Sequence, residues 1–261
     1  MSMRNEIKSK INRLISWWPR GIPVAASYLN KQGYSHDLLT KYKKSGWIQS
    51  FGRGAYILNG DKVEWPGALY ALQTQLGLDV YPGGKTALEL KGYAHYLPAG
   101  RRKIFLYANQ GQVLPTWFKG DRLGAEIMLV RTNLFYDNGE KGLSDFKEKD
   151  LILKISAPER AVMEMLHLVP GKVGFDEASL IMENLATLRS EIVQELLVMC
   201  RSIKVKRLFM FMAETHGHPW VSDLDVSRVN LGKGKRMIVP KGRFVKKYKI
   251  TVPRDQYEEG V

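Results

Sequence analysis

Residues 35–58 read SHDLLTKYKKSGWIQSFGRGAYIL, and this stretch decides how the N-terminal part folds. Ser35 is a good helix N-cap, because its side-chain oxygen can accept from a backbone N–H that the first turn leaves unpaired. Gly46 is a good stop, since glycine reaches the left-handed conformation at little steric cost. Trp47 and Ile48 begin a strand, FGRG reverses the chain, and Ala55–Leu58 returns as a second strand of apolar, pleat-compatible residues. Gly52 and Gly54 relax the backbone at the reversal and leave Arg53 at the tip of a short hairpin. On a helical wheel Leu38, Leu39 and Tyr42 share one side, and His36, Asp37, Thr40, Lys41 and Lys44 occupy the other.

Before this stretch, Ile7, Ile11, Leu14, Ile15 and Trp18 recur at three- and four-residue spacing, which predicts an amphipathic helix over 4–18. Pro19 and Gly21 end it. In PVAASYLNKQG (23–33) a second helix begins at Pro23 and stops at Gly33. The order is helix, helix, turn, helix, hairpin, which is the plan of a winged helix-turn-helix whose third helix enters a DNA major groove. Arg20, Ser27, Lys31, Ser35, His36, Thr40, Lys41, Lys44 and Arg53 are the candidate DNA contacts. Hydroxyl and imidazole groups near the helix start suit base edges, and the lysines suit phosphates. The competing reading is a three-helix bundle with a solvated polar face.

Charge favours the first reading. The chain of 261 residues carries a formal +14. Residues 1–60 hold ten Lys/Arg against Glu6 and Asp37, residues 226–254 hold ten Lys/Arg and no acid, and the middle is mildly acidic. Two basic poles of this kind favour a polyanion. The second pole, LGKGKRMIVPKGRFVKKYKITVP (231–253), reads as a basic β-hairpin or small meander. Its Lys233, Lys235, Arg236, Arg243, Lys246 and Lys247 form a candidate second nucleic-acid surface, for DNA or RNA.

Asn59-Gly60-Asp61 marks the boundary between a domain at 1–60 and a larger one at 61–261. The latter mixes helices (65–76, one after the GGKT turn ending near Gly92, one from Pro158, 175–188, 190–200, 203–213) with strands (102–107, 112–118, 125–131, 151–155). An extended segment follows Gly92, and a polar loop holds DNGEKG (137–142). The fold class is therefore α+β. No run of 18 apolar residues and no signal-peptide pattern stands out, and Cys200 is the one cysteine. A cytoplasmic protein with no membrane partner is expected.

Catalytic chemistry finds little support. GGKT (83–86) lacks the glycine that a phosphate-wrapping loop places five residues earlier, where Asp79 stands. It reads instead as a tight turn into a helix capped near Thr86. Asp223 and Asp225 resemble the acidic pair of a nucleotidyltransferase, but without a nearby glycine-rich turn or third carboxylate a loop or cap role is the better account. His216 and His218 have no further metal ligands nearby, and Cys200 lies in an apolar helix. No metal, cofactor or catalytic residue is expected.

The N-terminal plan, the GGKTALELKGYAHYL block (83–97) and the LGKGKRMIVPKGRFVKKYKITVP ending together resemble the AbiEi-type antitoxins of bacterial toxin–antitoxin systems. The resemblance implies a repressor that binds inverted repeats in its own promoter. It also implies a C-terminal domain that counters a nucleotidyltransferase-like toxin without a stable complex, in a type IV system that acts in abortive infection and phage defence. By the same likeness Ser35, His36, Thr40, Lys41 and Lys44 face the operator and Arg53 forms the wing tip. Two rivals remain: a nucleic-acid-modifying enzyme using Asp223 and Asp225, and a pure interaction protein that sequesters a partner.

Overall fold

The computed structural model describes residues 2–94, 101–118, 121–136 and 141–254, without the side chains of residues 2–9 and 121. The chain begins with α1 (Ser2–Trp17), β1 (Val24–Ala25), α2 (Ala26–Lys31), α3 (His36–Lys44), β2 (Ile48–Ser50) and β3 (Ala55–Leu58). The three strands form one antiparallel sheet in the order β1-β3-β2. Leu14, Leu29, Leu39, Tyr42, Ile48 and Leu58 pack between the helices and this sheet. Val24 and Ala25 depart from the expected helix: they pair with Tyr56 and Ala55, and the second helix starts only at Ala26. Pairing with β3 gives these buried residues both a ladder and a core, which outweighs Pro23 as a helix starter.

The sheet buries apolar side chains on both faces. Ile48, Val24 and Leu58 face α1–α3. Phe51, Ala55 and Ile57 face the other way, into a second core with Trp65, Ala68, Leu69 and Leu72 of α4 (Trp65–Gln75) and with Trp117. Gln75 of α4 adds polar ties, its Oε1 accepting from Ala25 N–H at 2.9 Å and its Nε2 donating to the Pro23 carbonyl at 3.1 Å. A strand covered on both sides reads as a continuous apolar run, which is why β3 is AYIL.

Beyond α4 come β4 (Val80–Pro82), α5 (Gly84–Leu90), β5 (Lys103–Ala108) and β6 (Glu126–Arg131). β5 pairs antiparallel with β4 and parallel with β6. β7 (Leu143–Glu148) and β8 (Leu151–Ser156) form a hairpin, of which the sequence reading anticipates only β8. Residues 112–118, expected as a strand, hold instead a short 3-10 turn at Thr116–Phe118. Pro115 withholds a ladder donor there, and Trp117 and Phe118 are buried. The extended segment expected after Gly92 runs into residues 95–100, and part of the DNGEKG loop falls on 137–140; both lie outside the described residues.

Four helices, α6 (Pro158–His167), α7 (Phe175–Glu183), α8 (Ser190–Met199) and α9 (Ile203–Thr215), build the largest core around Met163, Leu166, Leu197, Leu208 and Phe209. Against it lie β9 (Arg236–Met237), β10 (Arg243–Val245) and β11 (Ile250–Val252). β11 is central, antiparallel to β10 and parallel to β9, so the ending contains the expected hairpin, β10–β11, within a mixed sheet and is not a meander. The architecture is mixed helix and sheet, a smaller N-terminal part followed by a larger C-terminal one. Among the described residues no helix is long and apolar enough to cross a membrane.

Candidate nucleic-acid interface

α3 is braced from below and open above. Ser35 caps it, its Oγ accepting from Leu38 N–H at 3.3 Å. Leu39 and Tyr42 are buried, whereas His36, Asp37, Lys41, Lys43 and Lys44 are exposed and Thr40 is half-buried. Lys43 extends the basic face beyond the residues that the wheel selects. The three lysines lie in the last turn, where cations also complement the helix dipole. Asp37 in the first turn satisfies that dipole too, but would repel a phosphate.

The hairpin tip is built as the sequence predicts and supported by something it does not reveal. Phe51 N–H donates to the Ala55 carbonyl at 2.9 Å, and Gly52 and Gly54 take φ of 74° and 93°. Arg53 is exposed, while its carbonyl accepts from Thr116 Oγ1 at 3.2 Å. The Phe51 and Trp117 rings lie 6.3 Å apart. A Cβ at Gly52 would stand 3.1 Å from Trp117 Cα and 3.6 Å from an Arg122 guanidinium nitrogen. The tip is therefore docked on the C-terminal part, which brings exposed Arg122 against Gly52, the residue before Arg53. Nothing in the sequence links two arginines so far apart.

The remaining candidates spread around this frame. Ala26 N–H donates to the Gly54 carbonyl at 2.9 Å, so exposed Ser27 at the start of α2 neighbours the hairpin tip. Lys31, exposed, ends α2 just before α3. Arg20 lies at the opposite, base end of the hairpin and donates to Asp61 Oδ1 at 2.7 Å; its side chain is 71% exposed, but its charge has a carboxylate partner.

At the other pole Lys233, Lys235, Arg236, Arg243, Lys246 and Lys247 are all exposed. Lys247 sits 2.7 Å from both carboxylate oxygens of Glu214. Arg207 of α9, almost wholly buried, donates to the carbonyls of Leu231, Gly234 and Lys249 at 2.6, 2.5 and 3.3 Å. Burial, and then the nearby Arg236, lower its pKa. One guanidinium thus fastens the basic segment to the helical core.

The GGKT segment has an internal answer. Glu164 of α6, buried, accepts from Gly84 N–H at 3.0 Å and Ser156 Oγ at 2.7 Å through Oε2. Its Oε1 accepts from Arg160 Nε at 2.9 Å and Tyr81 OH at 3.3 Å. An anion already occupies the start of α5, where a phosphate would otherwise sit. The glycines make room: a Cβ at Gly83 would lie 2.3 Å from Glu164 Oε2, and one at Gly84 2.6 Å from Tyr107 Oη. The helix cap is Gly83 and not Thr86, whose buried Oγ1 accepts from Phe105 N–H at 2.8 Å. Burial and the adjacent Glu164 raise the Tyr81 pKa, so this phenol stays protonated as a donor.

Other reactive groups also have structural employment. Asp225 Oδ1 accepts from Ser227 N–H at 3.0 Å and Ser227 Oγ at 2.5 Å, and these bonds lower its pKa. Asp223 and Asp225 border an open groove of about 700 Å³ with Glu191, Glu195 and Arg228. Among the described residues no three His, Cys, Asp or Glu side chains converge as metal ligands. His218 stacks on Trp220 and its Nε2 contacts the Met182 carbonyl at 2.8 Å. Cys200 is fully buried, and burial pushes its thiol up to about 11.

Two protein-family models match the chain. One, described as the AbiEi antitoxin N-terminal domain of a transcriptional regulator, covers residues 7–99. The other, described as a transcriptional regulator, AbiEi antitoxin, of a type IV toxin–antitoxin system, covers residues 101–253. No curated protein matches. Among solved structures, the RV2827C protein from Mycobacterium tuberculosis is similar in fold, with a TM-score of 0.59 at 13% identity over 92% of this chain and 88% of that one.

Proposed function

The chain belongs to the AbiEi antitoxin family of transcriptional regulators in type IV toxin–antitoxin systems, and we propose that it represses its own operon by binding inverted repeats in promoter DNA. Its N-terminal part acts as a winged helix-turn-helix. α3 enters the major groove, Ser27 and Lys31 hold backbone, and Arg53 meets phosphate or a narrow minor groove. The C-terminal part counters a nucleotidyltransferase-like toxin in the cytoplasm, without a stable complex and without enzymatic activity of its own.

One observation carries the reading. Lys41, Lys43 and Lys44 project from a helix whose Leu39 and Tyr42 are locked in a core, beside a hairpin that offers Arg53. A flexible basic loop would lose entropy on binding a groove, whereas this helix is already ordered. Replacing Lys41 and Lys44 together by alanine is expected to weaken promoter binding at least about ten-fold and to lower the salt slope by about 2. Fluorescence anisotropy at several salt concentrations measures both. An unchanged operator affinity refutes the α3 assignment. The enzyme reading is tested separately, by Mg²⁺-dependent nucleotide transfer with Asp225→Ala as control.

A further inference from the structure

The C-terminal sheet presents more than charge. Its register sets Met237, Thr251 and Phe244 side by side across β9, β11 and β10. In the adjoining rows Ile250 and Val252 are buried in the large core, so strand alternation turns the Met237–Thr251–Phe244 row outward. Met237 is 71% exposed and Phe244 46%. Lys235 Nζ stands 5.1 Å from the Phe244 ring centroid. The platform is held in place by Arg207 through three backbone carbonyls.

Phosphate binding by itself explains the cations and not the ring. A duplex keeps its base faces stacked on one another, so a phenyl or thioether reaches them only by prying a base step apart, at a cost of about a few kcal/mol. Unpaired bases offer flat π-faces, and stacking on an aromatic residue beside a cationic groove is how single strands are held with little sequence preference. An anionic membrane would also welcome cations and apolar groups. However, the ring lies in a short row on a fixed sheet, with an ammonium over it, and does not protrude as an insertion loop would.

We infer that the outward face of this sheet binds single-stranded nucleic acid. Phe244 and Met237 stack unpaired bases, and Lys235 and Lys246, which alternate onto the same face, hold the phosphates around them. This site is separate from the duplex-binding face on α3 and does not depend on it.

The test uses the full chain and fluorescein-labelled oligo(U) and oligo(dT) of about 12 nucleotides, with a duplex of equal length and phosphatidylserine-containing vesicles as comparators. Phe244→Ala is expected to weaken single-strand binding about ten-fold and to leave duplex binding within about two-fold. Phe244→Trp should retain binding and Phe244→Leu should not, which separates stacking from bulk hydrophobicity. Phe244 is exposed, and circular dichroism checks that the variants remain folded. Binding of either oligomer with this pattern supports the inference, and the ratio of the two says whether the strand is RNA or DNA. Equal single-strand affinity of wild type and Phe244→Ala overturns it. So does an equal loss on the duplex, or a Phe244 dependence confined to vesicles.

Discussion

The N-terminal basic pole rides on α3, a helix packed against a sheet that is itself covered on both faces. The C-terminal pole rides on a small mixed sheet that rests on the large core with one face and is fastened by a single buried arginine. Comparable charge therefore sits on two different supports. A helix with a polar ridge fits a groove, whereas a flat strand row with an open ring fits bases that have left their stack. Charge alone would have assigned the two ends the same partner.

The largest effect should come from cutting the C-terminal pole loose. Arg207→Leu removes the donor to three carbonyls, and leaving such groups unpaired outweighs the relief of burying no charge; about 2–4 kcal/mol of stability should be lost. Urea denaturation measures the loss, and limited proteolysis should locate new cleavage at 231–249. Duplex affinity through α3 should stay within about two-fold, and a parallel fall would break the separation of the poles.

A smaller effect sharpens how the first pole is held. Gly52→Val places a β-branched residue at positive φ and against the Trp117 backbone, and should cost about 2–3 kcal/mol while weakening promoter binding. Gly54→Ala, also at positive φ but with nothing within 4 Å, should cost only about 1 kcal/mol. Thermal melts of the pair compare docking with backbone strain; equal costs would mean that the contact with Trp117 contributes nothing.

The smallest effect concerns charge that is already satisfied. Lys247 is paired with Glu214 in an exposed bridge, so Lys247→Ala should change stability by less than about 1 kcal/mol. It should also lower single-strand affinity less than Lys246→Ala does. Salt titrations of the two variants make the measurement, and the reverse order would remove Lys246 from the phosphate contacts.

Some of this was legible residue by residue. Ser35 and Gly46 bound α3 because a cap hydroxyl and a left-handed glycine act within one turn. The GGKT turn was legible too, but not its purpose, because Glu164 reaches it from a helix 80 residues later. Val24–Ala25 looked helical from its neighbours and became a strand because β3 was there to pair with it. Trp117 looked like part of a strand and became the rest for the hairpin tip.

By itself the sequence determined the succession of three N-terminal helices and a hairpin, though not the strand at Val24–Ala25, together with the two basic poles and the lack of a phosphate-wrapping loop. Those features depend on local spacing, on turn residues and on charge, which the chain carries whatever it packs against. Only the tertiary structure decided that the hairpin is docked, that Arg122 stands against Gly52 at the hairpin tip, and that Met237 and Phe244 share one open row. Such juxtapositions arise from burial of apolar surface shared between distant segments, and that energy has no address in any short stretch of residues.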